Sequence, residues 1–285
     1  MNILTDIAWK EQSQEVEALL EYSELLNVTS LESGLEAEVR KISINENSYV
    51  LKTWNKSSKP NVESQYKLLK VLYQQGIAVS QPLGWGTDKE ANYVLLTSFD
   101  GVPVNKVKKN TFIHFAKLLS TIHDFPHENY SELKLHKYDF IAYFYPDIEK
   151  HPDIHMVLTN LVGKCDLQQN KLIHGDFYLG NVLESQGKYT VIDWTNGQLG
   201  DPRYDIAWFM VLIRIYVGQR YSDYYRSLYL EQNPYTYEEL ELFEAIACLR
   251  WILLNRQIDL PIGKETISRV KSLVENNQYL DVTLI

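Results

Sequence analysis

Cysteine is scarce in this sequence, and its spacing excludes two kinds of site. The 285 residues include two cysteines, Cys165 and Cys248, and neither belongs to a Cys-x-x-Cys pair. A structural zinc site or a disulfide-stapled scaffold needs more cysteines at closer spacing. We therefore expect two reduced, buried thiols in a cytoplasmic protein.

A surplus of basic residues is also missing. Asp and Glu outnumber Lys and Arg by 37 to 28, which gives a formal net charge of −9. A general nucleic-acid binder carries a basic surplus, so we expect no nucleic-acid partner. The acidic balance is compatible with a cationic small molecule, although solubility alone accounts for most acidic proteins.

Long apolar runs are absent too. The most apolar stretch, residues 206–217, is interrupted by Arg214 and is too short to cross a bilayer. The first residues lack the basic segment and apolar run of a secretory signal. We therefore expect no membrane partner, and we interpret residues 206–217 as a buried helix.

Segments typical of strands dominate the first third of the chain, and segments typical of helices dominate the rest. Alternation predicts strands at 48–54, 79–83 and 93–97, and helical periodicity predicts helices at 9–26 and 61–75. The predicted helices beyond residue 100 are 111–123, 138–144, 154–162, 205–219 and 238–257, and the short strands there are 172–173 and 189–192.

This change from strand patterns to helix patterns predicts an α+β fold with a domain boundary near residue 99. Residues 1–99 would form a strand-rich N-terminal domain, and residues 100–285 a helix-rich C-terminal domain. A chain of this length is ample for a full hydrophobic core in one large domain or in two smaller ones.

One region places three oxygen-bearing side chains at a spacing that favours phosphoryl transfer. His174-Gly175-Asp176 is followed by Asn181 and then by Asp193. One carboxylate can orient an acceptor hydroxyl, while an amide oxygen and a second carboxylate can hold Mg²⁺ against nucleotide phosphates. Each residue alone is typical of a turn or a strand end. Their combination favours the catalytic interpretation.

Three motifs in this order resemble one known family. They are His174-Gly175-Asp176 with Asn181, then Ile192-Asp193-Trp194, then Gly200-Asp201-Pro202-Arg203-Tyr204-Asp205-Ile206-Ala207-Trp208. Together they resemble the aminoglycoside phosphotransferase and choline kinase superfamily, over nearly the whole chain. The resemblance implies a protein-kinase-like bilobal fold, with a small antiparallel-sheet N-terminal lobe and a larger, mainly helical C-terminal lobe.

The resemblance also implies a role for each residue of the motifs. Asp176 would be the catalytic base, and Asn181 and Asp193 would bind Mg²⁺, with ATP or GTP as co-substrate. His174 would support the catalytic loop by hydrogen bonding. Asp205 would tie the start of its helix to that loop.

Lys52, in the predicted strand 48–54, resembles the lysine that binds the α- and β-phosphates of the nucleotide. In the family that lysine pairs with a Glu on the following helix, but the matching position here is Gln65. Glu63 lies two residues earlier, on a different face of the helix. Either the register is shifted by two residues, or a neutral amide replaces the ion-pair partner.

Two further segments resemble parts of a nucleotide site. Residues 95–101 resemble the hinge of the family, so the adenine is expected to bond to the backbone at Ser98 and Phe99. Ser33-Gly34 is either a phosphate-binding turn or a plain hairpin turn.

The acceptor is expected to be a small molecule. Only eleven residues separate Asp193 from Asp205, and they contain no Ala-Pro-Glu, which leaves no room for a peptide-binding activation segment. The acceptor would be a small hydroxylated compound such as an aminoglycoside, macrolide, aminoalcohol or sugar. Two alternatives are an inactive nucleotide-binding scaffold or sensor, suggested by Gln65, and a protein kinase. Oligomeric state, acceptor and choice of nucleotide stay open.

Overall fold

The computed structural model describes residues 3–31, 37–58, 61–130, 133–231 and 233–285. The chain divides into two compact units. The first comprises Met1–Val104, Ser131–Lys134 and Val182–Thr195, and the second comprises Asn105–Tyr130, Leu135–Asn181 and Asn196–Ile285. Nothing in the sequence pattern indicates that residues 182–195 belong with the first unit.

Antiparallel strands form the main sheet of the first unit. Within the described residues they are β1 (Ala8–Gln12), β2 (Asn27–Ser30), β3 (Ala37–Ile44), β4 (Asn47–Trp54), β5 (Pro82–Thr87) and β6 (Tyr93–Ser98), in the spatial order β1-β5-β6-β4-β3-β2. Lys52 lies on β4, where it pairs with Val39 of β3 and Leu95 of β6. Alternation along β4 buries Tyr49 and Leu51 in the core and directs Lys52 to the other face.

Five shorter strands complete the β-structure of the described residues. They are β7 (Val102–Pro103), β8 (Lys171–Ile173), β9 (Val182–Ser185), β10 (Lys188–Val191) and β11 (Gln198–Gly200). β9 pairs with both β10 and β7 in the first unit, and β8 pairs with β11 in the second. Asp193 follows β10, and His174 follows β8 directly, so a strand end positions each motif.

In the described part of the first unit, two helices accompany the sheet. They are α1 (Gln14–Glu21) and α2 (Val62–Gln74). Asn61 is the N-cap of α2, and its side chain accepts a hydrogen bond from the backbone N–H of Ser64 at 3.0 Å. It packs against β5 and β6. Gln65 is buried on this helix beside Tyr66 and Leu69.

The second unit is mainly helical. Its helices in the described residues are α3 (Lys109–His123), α4 (Phe140–Phe144), α5 (Pro152–Lys164), α6 (Pro202–Tyr216), α7 (Gln219–Leu230), α8 (Tyr237–Gln257) and α9 (Thr266–Glu275). α6 starts with Pro202 behind the N-cap Asp201, whose carboxylate accepts from the N–H of Arg203. α6 and α8 are buried along most of their length, and they pack against each other in the core. The predicted α+β class is confirmed.

The prediction of a helix over 9–26 is wrong for its first residues. Ala8–Gln12 is strand β1, and α1 starts only at Gln14. The alternating burial of β1 and its pairing with β5 outweigh the local helical pattern. A Cβ at Gly86 of β5 would lie 2.4 Å from the carbonyl oxygen of Ala8, so only glycine lets β1 approach. The strand predicted at 79–83 likewise starts later, at Pro82.

Both cysteines are free thiols. Cys248 is fully buried, and burial raises its pKa to about 12, which makes it unreactive at neutral pH. In the described parts of the chain, no helix combines the length and the apolarity that crossing a bilayer would need.

Candidate active site

The loop after β8 carries Asp176, and its shape requires a glycine at residue 175. Gly175 has a φ of +77°, in the left-handed region that favours glycine. A Cβ on Gly175 would lie 2.7 Å from the carbonyl oxygen of Asn196. The residue before the aspartate is therefore glycine for two independent steric reasons.

Asp205 holds this loop from the first turn of α6. Its carboxylate is fully buried and accepts hydrogen bonds from the backbone N–H groups of His174 and Gly175, each at 2.7 Å. A carboxylate in the first turn of a helix is also stabilised by the helix dipole. The expectation that Asp205 ties the helix start to the loop is confirmed.

A buried histidine stands behind Asp205. His123, at the end of α3, places Nε2 at 3.2 Å from Asp205 Oδ2 and Nδ1 at 3.0 Å from the hydroxyl of Tyr229. The ring therefore places one nitrogen against a buried carboxylate and the other against a buried hydroxyl, so each of these groups has a hydrogen-bond partner. No local sequence signal joins His123 to the loop, because its contact with Asp205 links side chains on two separate helices, α3 and α6.

We expect His123→Leu to lower the free energy of unfolding by about 2 kcal/mol, because two buried polar groups lose a partner. Urea denaturation measures this change. His155→Leu is the matched control, because that imidazole is about one third exposed and its ion pair with Glu149 lies on the surface. A loss no larger for His123→Leu than for the control would contradict the structural role of His123.

Asp176 is held at both its backbone and its side chain. Its backbone N–H donates to His174 Nδ1 at 3.2 Å, as expected for a histidine that supports the loop. Its Oδ1 accepts from Trp208 Nε1 at 2.9 Å, and Arg250 Nη2 lies 3.6 Å from the same oxygen. The side chain keeps 29% of its accessible surface. Asp176 is therefore an oriented carboxylate that solvent or a small molecule can reach.

Asn181 lies beside Asp176, as the motif spacing predicts. It is buried, and its Nδ2 donates to the backbone carbonyl of Asp176 at 3.0 Å. This bond fixes the amide, so its carbonyl oxygen is the atom that can act as a ligand.

In the first unit, the structure brings Lys52 and Asp193 together. Lys52 Nζ lies 3.2 Å from Asp193 Oδ1. Asp193 has a φ of +63°, a left-handed conformation that Asp tolerates better than most residues. Thr195 donates its hydroxyl to Asp193 Oδ1 at 2.9 Å, and Gln65 donates from Nε2 to Thr195 Oγ1 at 3.3 Å. Two consecutive hydrogen bonds therefore link Gln65 of α2 to Asp193.

The structure gives Glu63 and Gln65, the two candidate partners of Lys52, different contacts. Glu63 is half exposed and pairs with Lys67 one turn along α2. Gln65 is 6% exposed and reaches Thr195, and its Oε1 is buried without a hydrogen-bond partner in the described residues. The carboxylate that faces Lys52 in the described part of the first unit is Asp193.

Ser98 and Phe99 lie at the end of β6. Their backbone N–H groups donate to the carbonyls of Gln81 and Ser48, at 2.9 and 3.1 Å. The Ser98 hydroxyl donates to the Asp100 carboxylate and accepts from the N–H of Gln81. Both backbone donors are therefore engaged within the unit. The Ser33-Gly34 turn falls outside the described residues.

No group of three or more His, Cys, Asp or Glu side chains gathers as a metal site in the ranges that the structure describes. A site that relies on one carboxylate and one amide, as the motifs imply, would not form such a group.

Thr195, Trp208 and Arg250 were not predicted as site residues. Trp208 belongs to a motif that the sequence shows, and Thr195 follows Asp193 by two positions. Arg250 stands in an apolar run, Cys248-Leu249-Arg250-Trp251-Ile252. A charged residue within a buried helical stripe is the signal that could have identified it.

The comparisons with known proteins establish the family. The model of the phosphotransferase enzyme family matches residues 27–243, well over half of the chain, and the chain belongs to that family. No curated protein matches the sequence.

Solved structures of kinases share the fold at low sequence identity. Choline kinase LicA from Streptococcus pneumoniae is 19% identical, with a TM-score of 0.62 over 92% of this chain and 98% of that chain. Amicoumacin kinase hAmiN, in complex with AMP-PNP, Ca²⁺ and Ami, is 16% identical, with a TM-score of 0.65 over 94% and 97%. A thermostable mutant of aminoglycoside phosphotransferase APH(4)-Ia, in a complex with ADP and hygromycin B, is 16% identical, with a TM-score of 0.67 over 92% and 98%. The predicted protein-kinase-like fold is confirmed.

Proposed function

We propose that this protein transfers the γ-phosphoryl group of ATP or GTP to a hydroxyl of a small molecule. The observation that supports this most is the Lys52–Asp193 ion pair at 3.2 Å. It joins a strand lysine and a carboxylate that lie far apart in the sequence. The family resemblance implies that Lys52 binds the nucleotide phosphates and that Asp193 binds the Mg²⁺ that accompanies them. Lys52 would release Asp193 and bind the α- and β-phosphates when the nucleotide enters.

Asp176 would receive the hydroxyl of the acceptor. A carboxylate is a weak base for an alcohol, but in a loose transition state the proton moves late, so orientation matters more than basicity. The hydrogen bond from Trp208 Nε1 orients the carboxylate, and the bond that the Asp176 backbone N–H donates to His174 Nδ1 fixes the backbone beneath it. The acceptor hydroxyl would donate to the carboxylate, and its proton would pass to Asp176 as the phosphoryl group arrives.

The donor atoms on Asn181 and Asp193 suit Mg²⁺. The Asn181 amide nitrogen is engaged by the Asp176 carbonyl, which presents the amide oxygen as the ligand, and Asp193 offers a carboxylate. Hard oxygen donors of this kind are what Mg²⁺ prefers. When bound, the ion would supply positive charge that offsets the negative charge developing on the phosphoryl group during transfer.

The base of the nucleotide would bind at the end of β6. Because the N–H groups of Ser98 and Phe99 are engaged, their backbone carbonyls are the atoms that could accept a hydrogen bond from an exocyclic amine. The complexes of hAmiN with AMP-PNP and of APH(4)-Ia with ADP support a nucleotide co-substrate.

A small acceptor fits better than a protein. The residues after Asp193 form a short 3-10 turn, Trp194–Asn196, then β11 and the start of α6, so no long activation segment follows. The structural neighbours include kinases of choline, of amicoumacin and of ethanolamine. We therefore propose an aminoglycoside, macrolide, aminoalcohol or sugar as the acceptor class.

A coupled ADP-release assay tests the proposal. ATP and GTP are each offered with aminoglycosides, macrolides, choline, homoserine and pentoses, and mass spectrometry identifies any phosphorylated product. We expect acceptor-dependent ADP release with one class. Nucleotide binding without turnover on any acceptor would instead support the inactive scaffold. Label transfer from radioactive ATP to a protein substrate would support a protein kinase.

We expect Gln65→Leu to weaken Mg²⁺-dependent nucleotide binding by about 10-fold, because Thr195 and Asp193 lose the donor that orients them. Isothermal titration with ATP in the presence of Mg²⁺ and of EDTA measures the effect. Gln74→Leu, at an exposed position of the same helix, is the control. Equal affinity in both variants would show that the hydrogen bonds from Gln65 through Thr195 do not support Asp193.

A further inference from the structure

Arg250 is a buried guanidinium in the middle of α8, and its polar contacts converge on the catalytic loop. Nη1 donates to the carbonyl of Gly175 at 2.9 Å and to the hydroxyl of Tyr204 at 3.2 Å. Nη2 lies 3.6 Å from Asp176 Oδ1. Arg250 therefore contacts both the proposed catalytic residue and the glycine before it.

Aromatic rings lie close to the guanidinium. Its centre lies 4.2 Å from the ring of Trp208 and 5.1 Å from that of Phe144. Trp208 also donates from Nε1 to Asp176 Oδ1 at 2.9 Å. Arg250 thus acts on the carboxylate directly, and also through the indole that it stacks on.

Burying a charge in this way is costly unless the charge has a partner. Burial alone would lower the pKa of Arg250, but the Tyr204 hydroxyl and the Asp176 carboxylate raise it, so the guanidinium stays charged. Two other arginines of the unit have structural partners instead. Arg203 pairs with Asp201 at the start of α6, and Arg226 pairs with the buried Glu244.

We propose that Arg250 is a positioning residue for phosphoryl transfer. It fixes the Asp176 carboxylate and the Gly175 peptide so that the acceptor hydroxyl meets the carboxylate in one orientation. A cation beside a catalytic base lowers its basicity, but this costs little where the proton moves late. The inference rests on the proposed phosphotransferase function and extends it to a residue outside the three motifs.

Arg250→Met and Arg250→Lys test the proposal once an acceptor has been found. We expect Arg250→Met to lower kcat by about 100-fold, the effect of a small misplacement of a catalytic group, with the Kd for nucleotide unchanged. Arg250→Lys should recover part of the activity, because a lysine can reach one of the two contacts but not both. Guanidinium chloride at a non-denaturing concentration should partly rescue Arg250→Ala.

Arg226→Met is the matched control, because it removes a partly buried arginine whose partner is the buried Glu244 and not the loop. It should lower the Tm while the folded fraction keeps its kcat. An Arg250→Met enzyme with wild-type kcat would overturn the proposal. A loss of activity that unfolding fully explains would also overturn it. So would a result in which neither the lysine variant nor added guanidinium restores any activity.

Hydrogen exchange separates this inference from the function on which it rests. We expect Arg250→Met to speed exchange of the backbone amides of residues 174–176, and Arg226→Met to leave them protected at matched stability. A wild-type protein without turnover on any acceptor contradicts the phosphotransferase function. Unchanged exchange in Arg250→Met contradicts the positioning role, whatever the acceptor.

Discussion

Asp176→Asn is expected to lower kcat by about 10³-fold and to leave the affinity for nucleotide unchanged. Asparagine keeps the shape of the side chain, but it removes the negative charge that accepts the acceptor hydroxyl and its proton. Trp208 Nε1 can still donate to the amide oxygen, so the loop should keep its conformation. Steady-state kinetics with the acceptor identified by ADP release, together with a Tm, measure both effects.

Asp259→Asn is the control for this experiment, because it makes the same chemical change at an exposed position of the same unit. It should match the wild type in kcat and Tm. An Asp176→Asn enzyme that retains more than about a tenth of wild-type kcat would remove Asp176 from the catalytic role, since a general base contributes far more than that.

Asp193→Asn is expected to weaken Mg²⁺-dependent nucleotide binding by at least about 100-fold. The substitution removes the charge of the proposed oxygen ligand and leaves Lys52 without the carboxylate that lies 3.2 Å from it. Asparagine is well tolerated at the φ of +63° found here, so the backbone should be unaffected. Isothermal titration with ATP, with Mg²⁺ and with EDTA, measures the loss.

Comparison with Asp193→Ala distinguishes the effect of losing the charge from the effect of straining the backbone. Alanine in a left-handed conformation costs about 1 kcal/mol more than asparagine, so this variant should also lose thermal stability. Nucleotide binding should be equally weak in both variants. If Asp193→Asn binds nucleotide as the wild type does, with the same dependence on Mg²⁺, the proposed metal role of Asp193 is wrong.

The parts of the site that could be predicted from sequence are those that close neighbours in the chain build together. Asp176 and Asn181 are five positions apart and meet in one loop, so their spacing alone indicates a shared site. The contact of Asp205 with the loop was expected from the family resemblance, and its place ahead of an apolar helix suits a carboxylate at a helix N-terminus.

Contacts that depend on helix packing could not be predicted in this way. Arg250 is 75 positions from Gly175, and His123 is 82 positions from Asp205. No periodicity fixes which turn of α8 or α3 will face the loop. The Gln65 side chain illustrates the same limit, because the sequence suggests a partner for Lys52 whereas the structure directs the amide to Thr195.

The fold shows a similar division between local and distant causes. Capped helices with clear periodicity, such as α2 and α8, were predicted to within a few residues. β1 was mistaken for helix because its strand conformation comes from pairing with β5, which lies beyond the reach of any local pattern. Gly86 is the residue that permits this pairing.

The discontinuity of the first unit has a consequence for how the chain matures on the ribosome. The main sheet is complete once residue 98 has emerged, but β9, β10 and Asp193 follow more than eighty residues later. A nascent or truncated chain that stops before Val182 therefore carries Lys52 without the carboxylate it pairs with. Since domains tend to fold as their segments become available, the ion pair between Lys52 and Asp193 can form only after residues 174–181 of the second unit have been synthesised.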